Sequence, residues 1–394
     1  MPESASKKEW TRVAFGDVVR LSRERASDPE SDGLERYVGL EHIEPNDLKI
    51  RRWGHIADGT TFTNVFRAGQ VLFGKRRAYQ RKVAVADFDG VCSGDIYVLE
   101  PKNEHLLREL IPFICQTDTF FEHAVGTSAG SLSPRTNWAS LASYEFALPP
   151  LDEQQRIVEV LSAADDVVER LVGLRAASEL TLTALGTATF SMSRWPERSL
   201  DGLLEYASDG PFGSKIKREH YSSTGARVIR LNNIDVNRFN GADKVFLAMD
   251  YFVSSLRGYE VMPGDVIVAG LGDEGIPAGR SCTVPDHLGL AVNKADCFCL
   301  RPRADVLPRF LAFFLNSPRG LAQSAAFSQG TTRKRLNLGS IKRMSVPVPP
   351  LTTQRHVVGE LDALLWTLER VASHERVTAR VRGVLLAMLL EASQ

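Results

Sequence analysis

Apolar residues at Ile157, Leu161, Ala164, Val168, Leu171 and Leu174 recur at steps of three and four, the spacing of one face of an α-helix. The pattern returns at Val357, Leu361, Leu364, Leu368 and Val371, and resumes with Val377, Val381, Val384 or Leu385, and Met388. Two prolines precede each run, in "ALPPLDEQQRIV" (147–158) and "PVPPLTTQRHVV" (347–358). Proline fixes φ and holds the preceding residue extended, so each pair ends a strand-like segment and lets a helix begin. Asp152 and Thr352 are the expected N-caps. Each helix is predicted to run for about 40 residues, or about 60 Å at 1.5 Å per residue. A stripe this narrow calls for a partner helix, and the other copy supplies one.

The two helix starts stand 200 residues apart, and other residues keep that offset. Pro149, Pro150 and Leu151 fall on Pro349, Pro350 and Leu351, Gln154 on Gln354, and Glu169–Arg170 on Glu369–Arg370. Backwards, Gly130, Arg135, Asn137 and Ser140 fall on Gly330, Arg335, Asn337 and Ser340. Further upstream the register drifts as loop lengths change. "AGQVLF" (68–73) then faces "PGDVIV" (263–268), "YVGLEHIE" (37–44) faces "VIRLNNID" (228–235), and Trp10 faces Trp195. Blocks preserved in order over a whole chain mark an internal duplication.

Ahead of each long helix lie short β-like runs broken by Gly, Asn, Asp and Pro, with one helix expected near 104–117 or 305–317. The expected fold is therefore α+β and internally duplicated. Globular α/β domains occupy residues 1–150 and 193–350, and long helices occupy 151–192 and 351–394.

A length of 394 residues favours two to three domains, and 43% apolar with 24% charged residues is the composition of a globular chain. No apolar run reaches the ~18 residues of a membrane span, and "MPESASKKEW" lacks a signal-peptide core, so a cytoplasmic protein away from the membrane is expected. Cys92, Cys115, Cys282, Cys297 and Cys299 form neither a disulfide framework nor zinc spacing, so no metal and no cofactor are expected.

Two phosphate-binding signatures fail on inspection. "GQVLFGKRR" has Arg76 where a nucleotide-binding loop needs Ser or Thr on magnesium. "GLGDEG" (270–275) meets Pro277 and Gly279 where a helix should receive a pyrophosphate. No hydrolase, kinase or metalloprotease motif is present, and no catalytic residue is assigned. The net charge is zero, but the basic residues are clustered. Lys75, Arg76, Arg77, Tyr79, Gln80, Arg81 and Lys82 mix cations, an aromatic and an amide, the chemistry that holds phosphates and reads base edges. Ser214, Lys215, Lys217 and Arg218 form a second cluster, Arg333, Lys334 and Arg335 a third, and Arg135 marks a weaker counterpart of the third. One charged loop reads equally well as solvated surface. Several that recur in both copies of a neutral chain favour DNA.

The order "GDVV…YVGLEHIE…GQVLFGKRRAYQRKVAVADFDGVCSGDIYVLEP…LPPLDEQQRIV", followed by a long helix and repeated, resembles the specificity subunit of type I restriction–modification systems. The second copy departs from the pattern, with "TTQRH" for "DEQQR" and "GLGDEGIPAGR" for "GKRRAYQRK". The resemblance implies two target-recognition domains, each reading half of a bipartite site in double-stranded DNA. It implies long helices that pair antiparallel as a coiled-coil spacer about a pseudo-twofold axis, with Ile157, Leu161, Val168, Leu171, Val357, Leu361, Leu364 and Leu368 on their contact faces, and that also dock subunits. Two modification subunits, carrying S-adenosylmethionine, would methylate adenine there, and ATP-dependent restriction subunits would join them. Three other readings stay open: a similar module of another methylase–nuclease or phage-exclusion system, a nucleotide-dependent enzyme using Lys75, and a structural adaptor.

Overall fold

The computed structural model describes residues 10–191, 195–273, 275–330 and 333–391. They form two compact units, one holding residues up to Val172 together with those from Ser373 onward, the other Gly173–Ala372. No helix among the described residues is long and apolar enough to cross a membrane.

In the first unit, one four-stranded antiparallel sheet has the order Val19–Leu21, Ile96–Pro101, Val71–Gly74, Val83–Val85. Its central run "VLFG" is buried along its whole length, as a strand covered on both faces must be. Successive side chains point to opposite faces. Val71 and Phe73 accordingly join the core beneath the helices, and Leu72 joins a core shared with the second sheet. That sheet orders Gly54–His55, Arg36–Val38, Gly90–Cys92 and Asn64–Phe66, and its central pair is parallel. Strands Thr11–Ala14 and Glu145–Leu148 close the base as a separate pair.

The second unit repeats this topology. Leu204–Ser208, Cys297–Pro302, Val266–Ala269 and Ser281–Thr283 form the equivalent four-stranded sheet. Val266 and Val268 again face the helical core, while Ile267 and Ala269 face the other. The second sheet gains Tyr221–Ser222 at its edge and keeps a parallel pair at its centre, Ala226–Ile229 with Ala291–Asn293. Strands Glu197–Ser199 and Ser345–Pro347 form the base pair. The helix expected near 104–117 is broken into a 3₁₀ turn, Arg108–Leu110, and a turn of α-helix, Ile111–Ile114; Asp118–Gly126 then forms a further helix. Its counterparts are Pro308–Asn316 and Pro318–Phe327, and Thr117 and Ser317 cap the second helix of each pair.

The long helices are Leu151–Ser191 and Leu351–Leu386. Asp152 and Thr352 are not their caps. The first helical bonds run from Gln154 N to the Pro150 carbonyl (2.9 Å) and from Gln354 N to that of Pro350 (3.0 Å). The second proline is thus the boundary residue, and Asp152 lies inside the first turn. Each helix is fastened to its own unit by a buried glutamine. Gln154 Oε1 accepts from Leu107 N, and its Nε2 donates to the carbonyls of His105 and Pro149, all at 2.8 Å. Gln354 repeats the clamp on Leu307, Asp305 and Pro349 at 2.8–2.9 Å.

The contact stripe holds at Ile157, Leu161, Val357 and Leu361, all buried, and at Val168, Leu171, Leu364 and Leu368, all half-buried. It does not continue through the later valines. Val377, Val381, Val384 and Met388 are 49–60% exposed, as is Leu174 at 49%. The inward row passes instead through Val371, Arg382 and Leu386. In the first unit Leu386 and Leu390 share a core with Val158 and Leu161, and Arg382 Nε donates to Asp165 Oδ1 at 2.8 Å. Rising numbers on one helix thus meet falling numbers on the other, so the two segments run antiparallel. In the second unit Leu182, Leu185 and Phe190 share a core with Val357 and Leu361.

Candidate nucleic-acid interface

In the first unit the basic segment leaves the buried strand Val71–Gly74 as a compact loop. A 3₁₀ turn at Ala78–Gln80 is flanked by Arg77 (φ 53°) and Arg81 (φ 55°), both left-handed. Such non-glycine conformations are uncommon and concentrate at functional sites. The loop is pinned to 133–136, with Arg77 N donating to the Pro134 carbonyl (2.7 Å) and Thr136 N to that of Lys75 (3.0 Å). Asp95 braces the two strands of this contact. It accepts from Arg135 Nε at 2.7 Å and from Arg76 at 3.3 Å. The Arg135 guanidinium foremost, helped by Arg76, holds its carboxyl below the usual aspartate range despite burial.

The other members separate by role. Arg81 donates to the Gln116 carbonyl (2.8 Å), pairs with Asp118 (2.7 Å) and lies over the Phe121 ring. Lys82 donates to the Leu40 carbonyl at 2.6 Å. These contacts of Arg81 and Lys82 hold the loop to its support. Tyr79 is 56% exposed at the tip, Gln80 and Arg77 are half-buried beside it, and the Lys75 ammonium sits 4.7 Å from the Tyr97 ring centre. Next to Lys75 opens a cleft of about 620 Å³ lined by Arg23, Arg25, Thr63, Asn64 and Tyr97. Arg23 and Arg25 escape a search for basic runs because Glu24 stands between them. Their signal is the alternation "RER" directly after a strand.

The second unit repeats the arginine–aspartate brace beneath a loop of different sequence. Leu271–Gly272 pairs with Lys334–Arg335, and Leu336 N donates to the Gly270 carbonyl at 2.8 Å. Arg335 donates to Asp296 Oδ1 at 2.8 Å, as Arg135 does to Asp95. Asp296 N in turn donates to Asp209, whose carboxyl is pushed up by burial. Gly210 lies against the backbone of Asn293 and Lys294, so a Cβ there would meet the Lys294 carbonyl carbon at 2.2 Å. That glycine serves close packing. Arg333 and Lys334 are exposed and carry no ion pair among the described residues. Within the "GLGDEG" motif Leu271–Gly272 is the strand paired with Lys334–Arg335, and Asp273 N donates to the Ile276 carbonyl at 2.9 Å.

Lys215 donates to Tyr259 Oη at 2.8 Å, and Tyr251 Oη donates to the Lys215 carbonyl at 2.6 Å. Lys217 lies 3.7 Å from Glu219, and Arg218 is exposed. No hydrogen bond or ion pair among the described residues joins this cluster to Arg333–Arg335. The Ser214 side chain lies outside the described residues. In each unit the long helix is also tied by an ion pair to the head of that unit. Arg51 pairs with Glu169 at 2.5 Å and Arg238 with Glu369 at 3.8 Å, which accounts for the repeated glutamate.

The chain thus builds a two-sheet head twice, each with basic residues on its loops and each followed in sequence by a long helix, the pattern of an internally duplicated protein. The chain belongs to the family of the type I restriction modification DNA specificity domain, whose family model matches residues 7–174 and 261–378. It is 28% identical over 239 residues to the type I restriction enzyme EcoDI specificity subunit of Escherichia coli, covering 56% of this chain and 51% of that one. It is 27% identical over 139 residues to the EcoKI specificity subunit of E. coli strain K12, covering 35% and 29%. The match thus spans about half the length of the first of these relatives and less of the second. The fold is shared with the S subunit of a type I restriction–modification system from M. genitalium, at a TM-score of 0.62 and 15% identity over 97% of this chain and 96% of that one.

Proposed function

We propose that this chain is the sequence-reading subunit of a type I restriction–modification complex and performs no catalysis itself. Each head, within residues 1–150 and 193–350, reads one half of a bipartite site in double-stranded DNA. The long helices fix the gap between the halves and dock two modification subunits, which restriction subunits then join. The observation that carries this reading is the repeated brace, Arg135–Asp95 and Arg335–Asp296, holding loops of different sequence on the same framework. A shared frame with unlike loops is what two unlike half-sites require. In the first head Lys75, Arg77, Tyr79 and Gln80 meet the DNA, while Arg76, Arg81, Lys82 and Arg135 set their posture. In the second, Lys215, Lys217, Arg218, Arg333 and Lys334 do so, with Arg335 and the Ser214 segment in support.

Mapping methylated adenines in cells that carry this gene and its neighbours is the direct test. A split motif that vanishes when this gene alone is deleted is the expected result; methylation that persists unchanged refutes the reading. In vitro, Arg77→Ala should weaken DNA binding and lower the salt slope by about 0.9, the loss of one phosphate contact.

A further inference from the structure

We propose that the cleft beside Lys75 is a phosphate-gripping groove, in which Arg23, Arg25 and Lys75 clasp the sugar–phosphate backbone of the duplex read by the first head. This rests on the DNA-reading function proposed above and adds two residues that no basic run contains. Residues 22–26 are extended: Ser22 N donates to the Val98 carbonyl, Ala26 N to that of Thr63, and Arg25 bridges Asn64. In an extended chain residues two apart share a side. Arg23 and Arg25 both line the cleft, Arg23 at its border with a neighbouring hollow that holds Glu24, and Glu24 pairs with Arg67, which also holds Asp89.

The result is a concave surface lined by three cations and no acid. Arg23 and Arg25 are exposed and form no ion pair among the described residues. The acid that follows Gly94 in the wall, Asp95, is already held by Arg76 and Arg135. Ser22, Thr63 and Asn64 add neutral hydrogen-bonding groups along the wall. Unpaired cations beside hydroxyl and amide groups suit phosphodiester oxygens, which take up both charge and hydrogen bonds. The groove belongs to the first head alone. Strand registers align Leu21 with Ala207, so Asp209 and Pro211 occupy the places of Arg23 and Arg25.

The test uses the full chain and the duplex whose motif methylation mapping defines. With Arg23→Gln and Arg25→Gln combined, the slope of log K against log salt should fall by about 1.8, two contacts at about 0.9 each. The loss should be equal on motif and scrambled duplexes. Arg23→Lys with Arg25→Lys should retain the slope, and this arm holds even if the glutamine pair impairs folding. An unchanged slope in a folded glutamine variant overturns the proposal, and so does a loss confined to the motif duplex, which would make these residues base readers. Saturable binding of inorganic phosphate or a mononucleotide, lost in the same variant, would also overturn it in favour of a small-ligand pocket. If the unaltered chain prefers no duplex at all, it is the DNA-reading function that fails.

Discussion

At the scale of single residues, most of what repeats between the two halves is clamp rather than contact. Gln154 and Gln354 each satisfy one backbone N–H and two carbonyls that a helix start and its neighbouring turn leave buried. Gln154→Ala strands all three, so a loss of about 1–3 kcal/mol in urea unfolding is expected. Gln354→Ala should cost the same, because the geometry is the same. Gln154→Glu should cost more, since a carboxylate would then face two carbonyl oxygens. Asp95 is a clamp of another kind. Its carboxyl is depressed in the folded protein, so its contribution is present above the ordinary aspartate value and fades as pH falls through the lower folded one. Asp95→Asn should remove that pH dependence and raise hydrogen exchange at residues 129–136, as the brace on Arg76 and Arg135 slackens. The cations were readable as candidates; their division into braces and free groups was not. Arg135 meets an acid 40 positions away in sequence and Arg76 one 19 away, and nothing local signals either pairing.

At the scale of elements, the helices were legible and the rotation of the second one was not. Val377, Val381 and Val384 step as a buried row should, yet they are exposed. The row that faces inward is interrupted by Arg382, which makes its contact by ion pairing with Asp165 and by a hydrogen bond to Gln116. A hydropathy pattern registers that position as polar and slides to the neighbouring valines. The two rows differ in energy, and this can be measured. Leu361→Ala, in a fully packed site, should cost about 2–5 kcal/mol of stability in its unit. Val381→Ala should change stability by no more than about 0.5 kcal/mol. Equal losses in urea unfolding would return the valines to the core. The strands were more legible because "VLF" and "VIVA" are short, apolar throughout and bounded by glycines, the pattern of a strand covered on both faces.

At the scale of the whole molecule, duplication lets one chain carry two heads whose loops diverge independently. The frame is kept where clamps and core require it, at the prolines, the glutamines and the capping Asn137 and Asn337. The loops above it are free to differ, and they do: Arg23 and Arg25 on one side, Asp209 and Pro211 on the other. If helix length sets the gap between half-sites, the gap and the letters are separately encoded and can be changed separately. Each helix passes from one unit to the other, after Val172 in the first and after Ala372 in the second. A heptad inserted at both places keeps the contact face nearly in register, about 20° off. It adds about 10 Å of rise, equivalent to at most about three base pairs at 3.4 Å each. Methylation mapping of cells carrying this variant should return the original half-sites with a longer gap. Altered letters at the original gap would mean that the helices take part in reading and that the heads are not autonomous.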